Sequence, residues 1–135
     1  MGKYRNKHVE FLGKTFASQK EALRYAYLLE QQKAGAIQNL ECQVRFTLIP
    51  KNEKFRELSY VADFVYDQDD KIIVEDVKPD NMKWYKSTSA YAVYNIKKKL
   101  MYHELGIEVQ EVWPVKTAVT HCTAYTLTII QTVKS

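Results

Sequence analysis

Two acidic residues and one lysine lie in neighbouring apolar runs, where charged side chains are unexpected. Asp63 falls within one run, and Asp76 and Lys78 close the next. If both runs are strands, alternation puts Asp76 and Lys78 on one face, about 7 Å apart along the strand, with Glu75 on the other face. Charges in apolar strands are costly unless they are paired or bind a metal ion. A metal-dependent phosphodiesterase site would account for this cluster, and a structural ion-pair network at a strand end is the alternative.

A helix and three strands are predicted to position these side chains. Ser18 and Glu21 match a capping box, so the first helix is expected over residues 18–34, ended by Gly35. Three strand-like runs follow, over residues 41–49, 58–66 and 71–78. The short polar link between the last two predicts an antiparallel hairpin, which would bring Asp63 and Asp76 near each other.

The second half of the chain predicts one more helix and one more strand. The helix is expected over residues 88–104, and alternation over residues 107–112 predicts the strand. Three apolar residues are expected on the inward face of the helix, and three others are expected to point away: Val93, Ile96 and Leu100 inward, Tyr91, Lys98 and Tyr102 outward.

The remaining segments complete the predicted organisation. Residues 1–17 are expected to be irregular or weakly extended, and residues 123–130 have the β-branched content of a final strand. The order is helix, three strands, helix, strand, which predicts an α/β fold. We expect a single domain over residues 1–135, with a core at about residues 16–113 and a C-terminal extension over residues 114–135.

Composition argues against several classes of protein. The chain is 46% hydrophobic and 27% charged, and no apolar stretch approaches the roughly 20 residues that span a bilayer. The basic amino terminus has no secretory signal pattern, so a cytoplasmic location is expected. Cys42 and Cys122 are far apart, which argues against a zinc module and a disulfide-stapled fold. The three histidines are single and unspaced, so no histidine metal site is predicted.

The distribution of charge is more informative than the net charge of +4. Six lysines lie between positions 78 and 99 against one aspartate, and the first twenty residues carry five basic residues against one glutamate. Such stretches favour a polyanionic partner, although a solvated lysine face explains them as well. Trp84 and Tyr85 lie among Lys83 and Lys86, where aromatic rings could stack on bases or simply pack.

Taken together, these residues resemble the restriction-endonuclease-like or PD-(D/E)xK nuclease superfamily. Its core has the order helix, three strands, helix, strand, with a mixed central sheet flanked by helices. Four stretches, KYRNK, FASQKEA, YVADF and VEDVK, at residues 3–7, 16–22, 60–64 and 74–78, resemble more narrowly a family of small phage and prophage proteins placed in that superfamily. The similarity runs from about residue 3 to residue 112. Some members of the superfamily are phage endonucleases that resolve four-way DNA junctions.

The resemblance implies a catalytic set and a metal cofactor. Asp63 corresponds to the aspartate of the first half of the motif, and Asp76 and Lys78 to the acid and lysine of the second half. Glu21 corresponds to a glutamate that many members bring from the first helix, although the capping box also accounts for it. Mg²⁺ or Mn²⁺ would be held by Asp63, Asp76 and Glu21. Lys78 would orient or deprotonate the attacking water, or stabilise the phosphorane.

Two positions depart from the pattern of the family. Ala62 stands where the motif has proline, and Pro79 follows Lys78 where the narrower family has glycine. The second departure puts the path of the substrate beyond that strand in question.

The implied partner is DNA, in branched or junction form. Seven basic residues are expected to contact phosphates, which would make binding dependent on salt and largely independent of sequence: Lys3, Arg5, Lys7, Lys83, Lys86, Lys97 and Lys98. Two symmetric cuts across a junction favour a homodimer. The alternatives are a non-catalytic DNA-binding protein that retains the fold, and a nuclease for RNA or for damaged or restriction-type DNA targets.

Overall fold

The structure is a computed structural model that describes residues 8–113 of the chain. The described residues fall into two compact units, which we name the hairpin–helix unit, residues 8–36, and the sheet unit, residues 37–113. The expected strand at residues 123–130 lies outside the described residues, as does the rest of the predicted C-terminal extension. The single-domain organisation stays a prediction.

The hairpin–helix unit begins with a small hairpin that the sequence did not predict. Strands β1 (Val9–Phe11) and β2 (Lys14–Phe16) pair antiparallel. We expected irregular or weakly extended chain here, because runs of three residues are too short for periodicity to be recognised. The hairpin forms because its apolar side chains pack on the following helix, with the Phe16 and Tyr25 rings 5.2 Å apart.

Helix α1 (Gln19–Lys33) confirms the predicted first helix. The Glu21 backbone N–H donates to Ser18 Oγ over 3.2 Å, as expected at a helix amino terminus. Gly35 follows the last turn with a φ of 81°, in the left-handed region where glycine carries no Cβ penalty. The helix buries four apolar residues: Ala22, Tyr25, Ala26 and Leu28.

The sheet unit is built on a four-stranded mixed sheet. Its strands, in spatial order, are β3 (Gln38–Ile49), β4 (Leu58–Gln68), β5 (Lys71–Val77) and β6 (Gln110–Val112). The first three pair antiparallel, and β5 and β6 pair parallel. The three predicted strands are therefore confirmed with small changes of boundary, and with the helices they make a mixed α/β fold. The last strand is shorter than predicted, three residues instead of six.

The hairpin between β4 and β5 closes on two residues. Gln68 pairs with Lys71, and Asp69 and Asp70 between them have φ values of 50° and 62°. Positive φ at both central residues is the pattern of a type I′ turn, whose twist matches that of the flanking strands. This turn sets the register that brings the two predicted aspartates together.

Two helices connect β5 to β6. Helix α2 (Met82–Lys86) was not predicted, because five residues carry too little periodicity. Helix α3 (Ser89–Leu105) confirms the second predicted helix, and Gly106 ends it with a φ of 67°. None of the helices in residues 8–113 has the length and hydropathy needed to cross a membrane.

The predicted inward face of α3 was wrong in part. Val93 and Ile96 are 51% and 58% exposed, whereas Tyr94 and Met101 are buried. The helix is rotated so that the Tyr94 hydroxyl donates to a carboxylate on β6. An apolar side chain could not make this hydrogen bond. The prediction for Leu100 was right, and Tyr91, expected to point away, packs against the same core. This core contains seven buried residues: Leu48, Tyr60, Ala62, Val74, Tyr94, Met101 and Val109.

Candidate active site

Asp76 and Lys78 form an ion pair at the end of β5, in which the lysine is buried and the aspartate is half-buried. Lys78 Nζ lies 3.0 Å from Asp76 Oδ1, and the lysine side chain is 2% exposed. The second carboxylate oxygen, Asp76 Oδ2, accepts a 2.6 Å hydrogen bond from the Tyr60 hydroxyl. The predicted shared face of Asp76 and Lys78 is therefore confirmed.

Asp63 lies where the pairing of β4 with β5 ends. The register runs from Gln68 opposite Lys71 to Phe64 opposite Glu75. Beyond this last pair, the carboxylates of Asp63 and Asp76 both act electrostatically on Lys78. At that point the Val77 N–H donates to Asp63 Oδ2 over 2.7 Å. The hairpin therefore brings the two aspartates together, as the sequence predicted.

The ammonium of Lys78 is surrounded by tyrosines. It lies 2.9 Å from the centroid of the Tyr94 ring and donates to the Tyr85 hydroxyl over 3.3 Å. Burial lowers the pKa of Lys78, and the carboxylates of Asp76, Glu111 and Asp63 act in the opposite direction. Ring face and carboxylates both stabilise the charged amine, while desolvation favours the neutral form.

Glu111 is a third acid beside this pair, and the sequence did not single it out. It is the register partner of Asp76 on β6. Its Oε2 accepts from the Tyr94 hydroxyl at 2.9 Å and lies 3.4 Å from Lys98 Nζ. Glu111 therefore connects β6 to the Tyr94 ring, whose face contacts Lys78. No local signal in the sequence points to Glu111, because the β5–β6 register places it beside Asp76.

Three tyrosine hydroxyls around the pair stay protonated at neutral pH. Burial raises the pKa of Tyr60, followed in effect by the charge of Asp76. Burial also raises the pKa of Tyr94, followed by its hydrogen bond to Glu111, and raises the pKa of Tyr85. The Tyr60 and Tyr94 hydroxyls therefore donate to Asp76 and Glu111, while the protonated Tyr85 hydroxyl accepts from Lys78.

Glu75 lies on the opposite face of β5, as the alternation predicted, and that face is buried. It is 2% exposed, and the Tyr66 hydroxyl donates to its Oε2. Because Phe64 is its cross-strand partner, this carboxylate lies on the buried side of the hairpin. It takes no part in the cluster of Asp63, Asp76 and Lys78.

The other predicted site residues lie on other elements or outside the described part. Glu21 is on α1 in the hairpin–helix unit, where its backbone completes the Ser18 cap, and its role as a metal ligand stays a prediction. Lys83 and Lys86 are exposed on α2, and Lys97 and Lys98 are half-buried on α3. The basic residues Lys3, Arg5 and Lys7 lie outside the described residues.

The donor set suits a small divalent cation in part. No group of three or more His, Cys, Asp or Glu side chains within residues 8–113 is arranged to hold a metal ion. Mg²⁺, however, is commonly bound through one or two carboxylates, with waters and substrate phosphates completing its shell. Asp63 and Asp76 are hard oxygen donors near the point where the β4–β5 pairing ends, so their chemistry fits such a cation.

One of three comparisons with known proteins gives a match. Neither the curated proteins nor the solved structures give a match to this chain. One family model matches residues 1–121, which is most of the chain and includes every residue of the cluster. The chain therefore belongs to the family described as "Protein of unknown function (DUF1064)".

Proposed function

We propose that this protein is a metal-dependent DNA endonuclease, which hydrolyses phosphodiester bonds in branched or four-way junction DNA. The observation that carries the proposal is the Asp76–Lys78 pair at 3.0 Å, with Asp63 at the adjoining end of β4. Removing an ion pair from water costs desolvation free energy, so a pair at this position calls for a functional reason. Metal-dependent phosphodiester hydrolysis would use the carboxylates to hold the cation and the amine to act on the water or the phosphorane.

The order of elements supports a restriction-endonuclease-like core. Helix α1, strands β3, β4 and β5, helix α3 and strand β6 follow one another in the order that the resemblance implies. Strand β6 is parallel to β5, which gives the mixed sheet of that core. We include this fold in the proposal.

Lys78 would act on the attacking water or on the phosphorane. Asp76 Oδ1 lies 3.0 Å from the lysine amine, and the face of the Tyr94 ring contacts the same amine. The Tyr60 hydroxyl orients Asp76 by donating to its outer oxygen. The amine is thereby preorganised, so that it need not reorganise when charge develops on the phosphate.

Asp63 and Asp76 would hold the divalent cation. Mg²⁺ or Mn²⁺, when bound, neutralises phosphate charge and polarises the scissile bond. Asp63 is held in place by two hydrogen bonds, from the Val77 N–H to its Oδ2 over 2.7 Å and from the Gln43 side-chain amide to its Oδ1 over 3.3 Å. Glu21 remains a proposed further ligand.

Branched DNA as the substrate is supported by the resemblance and by charge. The exposed Lys83 and Lys86 on α2, with Lys97 and Lys98 on α3, would contact phosphates, together with Lys3, Arg5 and Lys7. We include in the proposal a homodimer, because symmetric cuts need two sites. A phage or prophage origin, with action in the bacterial cytoplasm, follows from the same resemblance.

A non-catalytic DNA-binding protein is the second candidate. The observation that favours it is that no set of three or more metal-ligand side chains occurs within the described residues. In that case the acids and Lys78 would be a structural network, and the lysines alone would carry the function.

A substrate panel separates the two candidates. Labelled four-way junction, linear duplex, single strand and an RNA hairpin are each incubated with Mg²⁺, Mn²⁺ or a chelator. The proposal expects metal-dependent cuts, most rapidly in the junction. Binding of the junction without cleavage of any substrate in either metal would refute the nuclease and support the binding protein.

A further inference from the structure

Helix α2 presents an aromatic ring between two lysines. Trp84 is 51% exposed, and Lys83 and Lys86 beside it are exposed as well. Asp80, two residues before the helix, is the acid nearest in sequence. An exposed indole among ammonium groups is the combination with which proteins stack nucleic-acid bases and hold the phosphates between them.

Tyr85 ties this helix to the candidate active site. Lys78 Nζ donates to the Tyr85 hydroxyl over 3.3 Å, and the Tyr85 ring packs edge to face on Tyr91 of α3 with 5.4 Å between centroids. Because Trp84 precedes Tyr85 directly, the indole is anchored next to the residue that contacts the catalytic amine.

Hydrogen bonds to the residues that flank α2 on each side fix the backbone of Trp84. Its N–H donates to Asn81 Oδ1 over 3.0 Å, and its carbonyl accepts from the Ser87 hydroxyl. A ring on such a fixed turn loses little conformational entropy when a flat ligand stacks on it.

We propose that Trp84 is a stacking platform for an unpaired DNA base next to the phosphate that is cut, with Lys83 and Lys86 on the flanking phosphates. This rests on the proposed nuclease function and narrows its substrate. Inside a continuous duplex the base faces are covered by their neighbours, whereas a branch point can release one base. The platform would therefore favour branched DNA over linear duplex.

Charge decides between a nucleic acid and a protein as the occupant. A protein-docking site is usually a contiguous apolar patch with few lysines at its centre. Here the residues on either side of the indole along the helix include two lysines and no second exposed large apolar side chain. A polyanion with flat bases is the complementary partner.

Fluorescence of a single tryptophan tests the platform directly. The chain has two tryptophans, so Trp113→Phe leaves Trp84 alone, and Asp76→Asn prevents cleavage. This variant is titrated with a thymidine oligonucleotide, a uridine oligonucleotide of equal length, a blunt duplex and a four-way junction at fixed salt. The single strand and the junction should quench the indole more strongly than the duplex.

Two substitutions in the Asp76→Asn background separate stacking from charge. Trp84→Ala should weaken binding of the single strand by roughly 5- to 150-fold with an unchanged salt dependence. Trp84→Phe should retain most of the affinity. Lys83→Ala, the matched control on the same helix, should reduce the salt slope by about 1. Circular dichroism of each variant shows whether the fold is retained.

The outcomes distinguish this proposal from the proposed function. Unchanged affinity in Trp84→Ala, equal quenching by duplex and single strand, or stronger quenching by an RNA strand of matching sequence would overturn the DNA-base platform. Cleavage by the parent protein alongside any of these results would leave the nuclease intact. Quenching and weakened Trp84→Ala binding without metal-dependent cleavage would refute the nuclease and retain the platform.

Discussion

The Val77 N–H donates to the carboxylate of Asp63 over 2.7 Å, where the pairing of β4 with β5 ends. A side chain thus takes over from the backbone as acceptor at the point where the two strands separate. Close to this point the carboxylates of Asp63 and Asp76 both act electrostatically on Lys78. Asp63 therefore serves both the local structure and the proposed chemistry, and two substitutions divide these roles.

Asp63→Asn should abolish activity while preserving the fold. The amide oxygen can still accept the Val77 N–H, so the free energy of unfolding should change by less than about 1 kcal/mol. Loss of the charge should lower the cleavage rate by about 100-fold or more. Asp63→Ala should in addition destabilise the protein by about 1–3 kcal/mol, because a backbone donor loses its acceptor. Urea denaturation and junction cleavage measure the two effects, and equal stability of the two variants would contradict this role.

The Asp76–Lys78 pair should show strong coupling in a double-mutant cycle. Asp76→Asn leaves a buried ammonium without its carboxylate and should cost about 2–4 kcal/mol of stability. Lys78→Met added to that variant removes the unpaired charge and should recover most of the loss. Denaturant unfolding of the four proteins gives the coupling energy. Additive effects would show that the two side chains do not interact in solution.

Stability should depend on pH through Lys78. Burial lowers the pKa of this lysine from its ordinary value of 10.5. Between the folded-state pKa and 10.5 the folded protein binds fewer protons at this site than the unfolded chain, so stability gains as pH rises. We expect the parent to gain stability relative to Lys78→Met as pH rises toward 10.5. A constant difference between the two proteins over this range would contradict the lowered pKa.

The ring of Tyr94 should matter more than its hydroxyl. Lys78 Nζ lies over the ring, whereas the hydroxyl reaches Glu111. Tyr94→Phe keeps the ring and should retain cleavage within about threefold, while Tyr94→Leu should lower the rate by about 5- to 30-fold. Single-turnover cleavage with saturating protein compares them. Equal cleavage rates for Tyr94→Phe and Tyr94→Leu would show that the ring does not contribute to the site.

Tyr66→Phe is a control on the other face of the sheet. The Tyr66 hydroxyl donates to the buried Glu75, which alternation separates from Asp76. Its removal should lower the free energy of unfolding by about 1–3 kcal/mol. The cleavage rate at a temperature where the variant is folded should not change. A loss of rate without a loss of stability would connect Glu75 to the chemistry.

The core of the site could be predicted from the sequence because strand alternation is a local rule. Two residues of one strand separated by a single position share a face, so Asp76 and Lys78 had to meet if β5 formed. The short polar link before β5 likewise predicted the hairpin and hence the approach of Asp63. The capping signals at Ser18 and Gly35 predicted both ends of α1.

The surroundings of the site could not be predicted because they depend on pairing between distant segments. The register of β6 against β5 places Glu111 beside Asp76, and nothing near either residue encodes it. Val93 and Ile96 are more hydrophobic than tyrosine, so periodicity alone predicted the wrong inward face for α3. Tyr94 is buried because its hydroxyl finds a carboxylate on β6, which is a tertiary interaction.

Cleavage and binding by Asp76→Asn, measured together with the parent protein, test the central claim most directly. Both proteins are given the same labelled four-way junction in Mg²⁺, and both the cut fraction and the bound fraction are followed. We predict that the parent cuts the junction, that a chelator stops it, and that Asp76→Asn binds the junction without cutting it. Equal cleavage by both proteins, or binding by both with no cleavage by either in Mg²⁺ or Mn²⁺, would contradict the assignment of Asp63, Asp76 and Lys78 as a nuclease site.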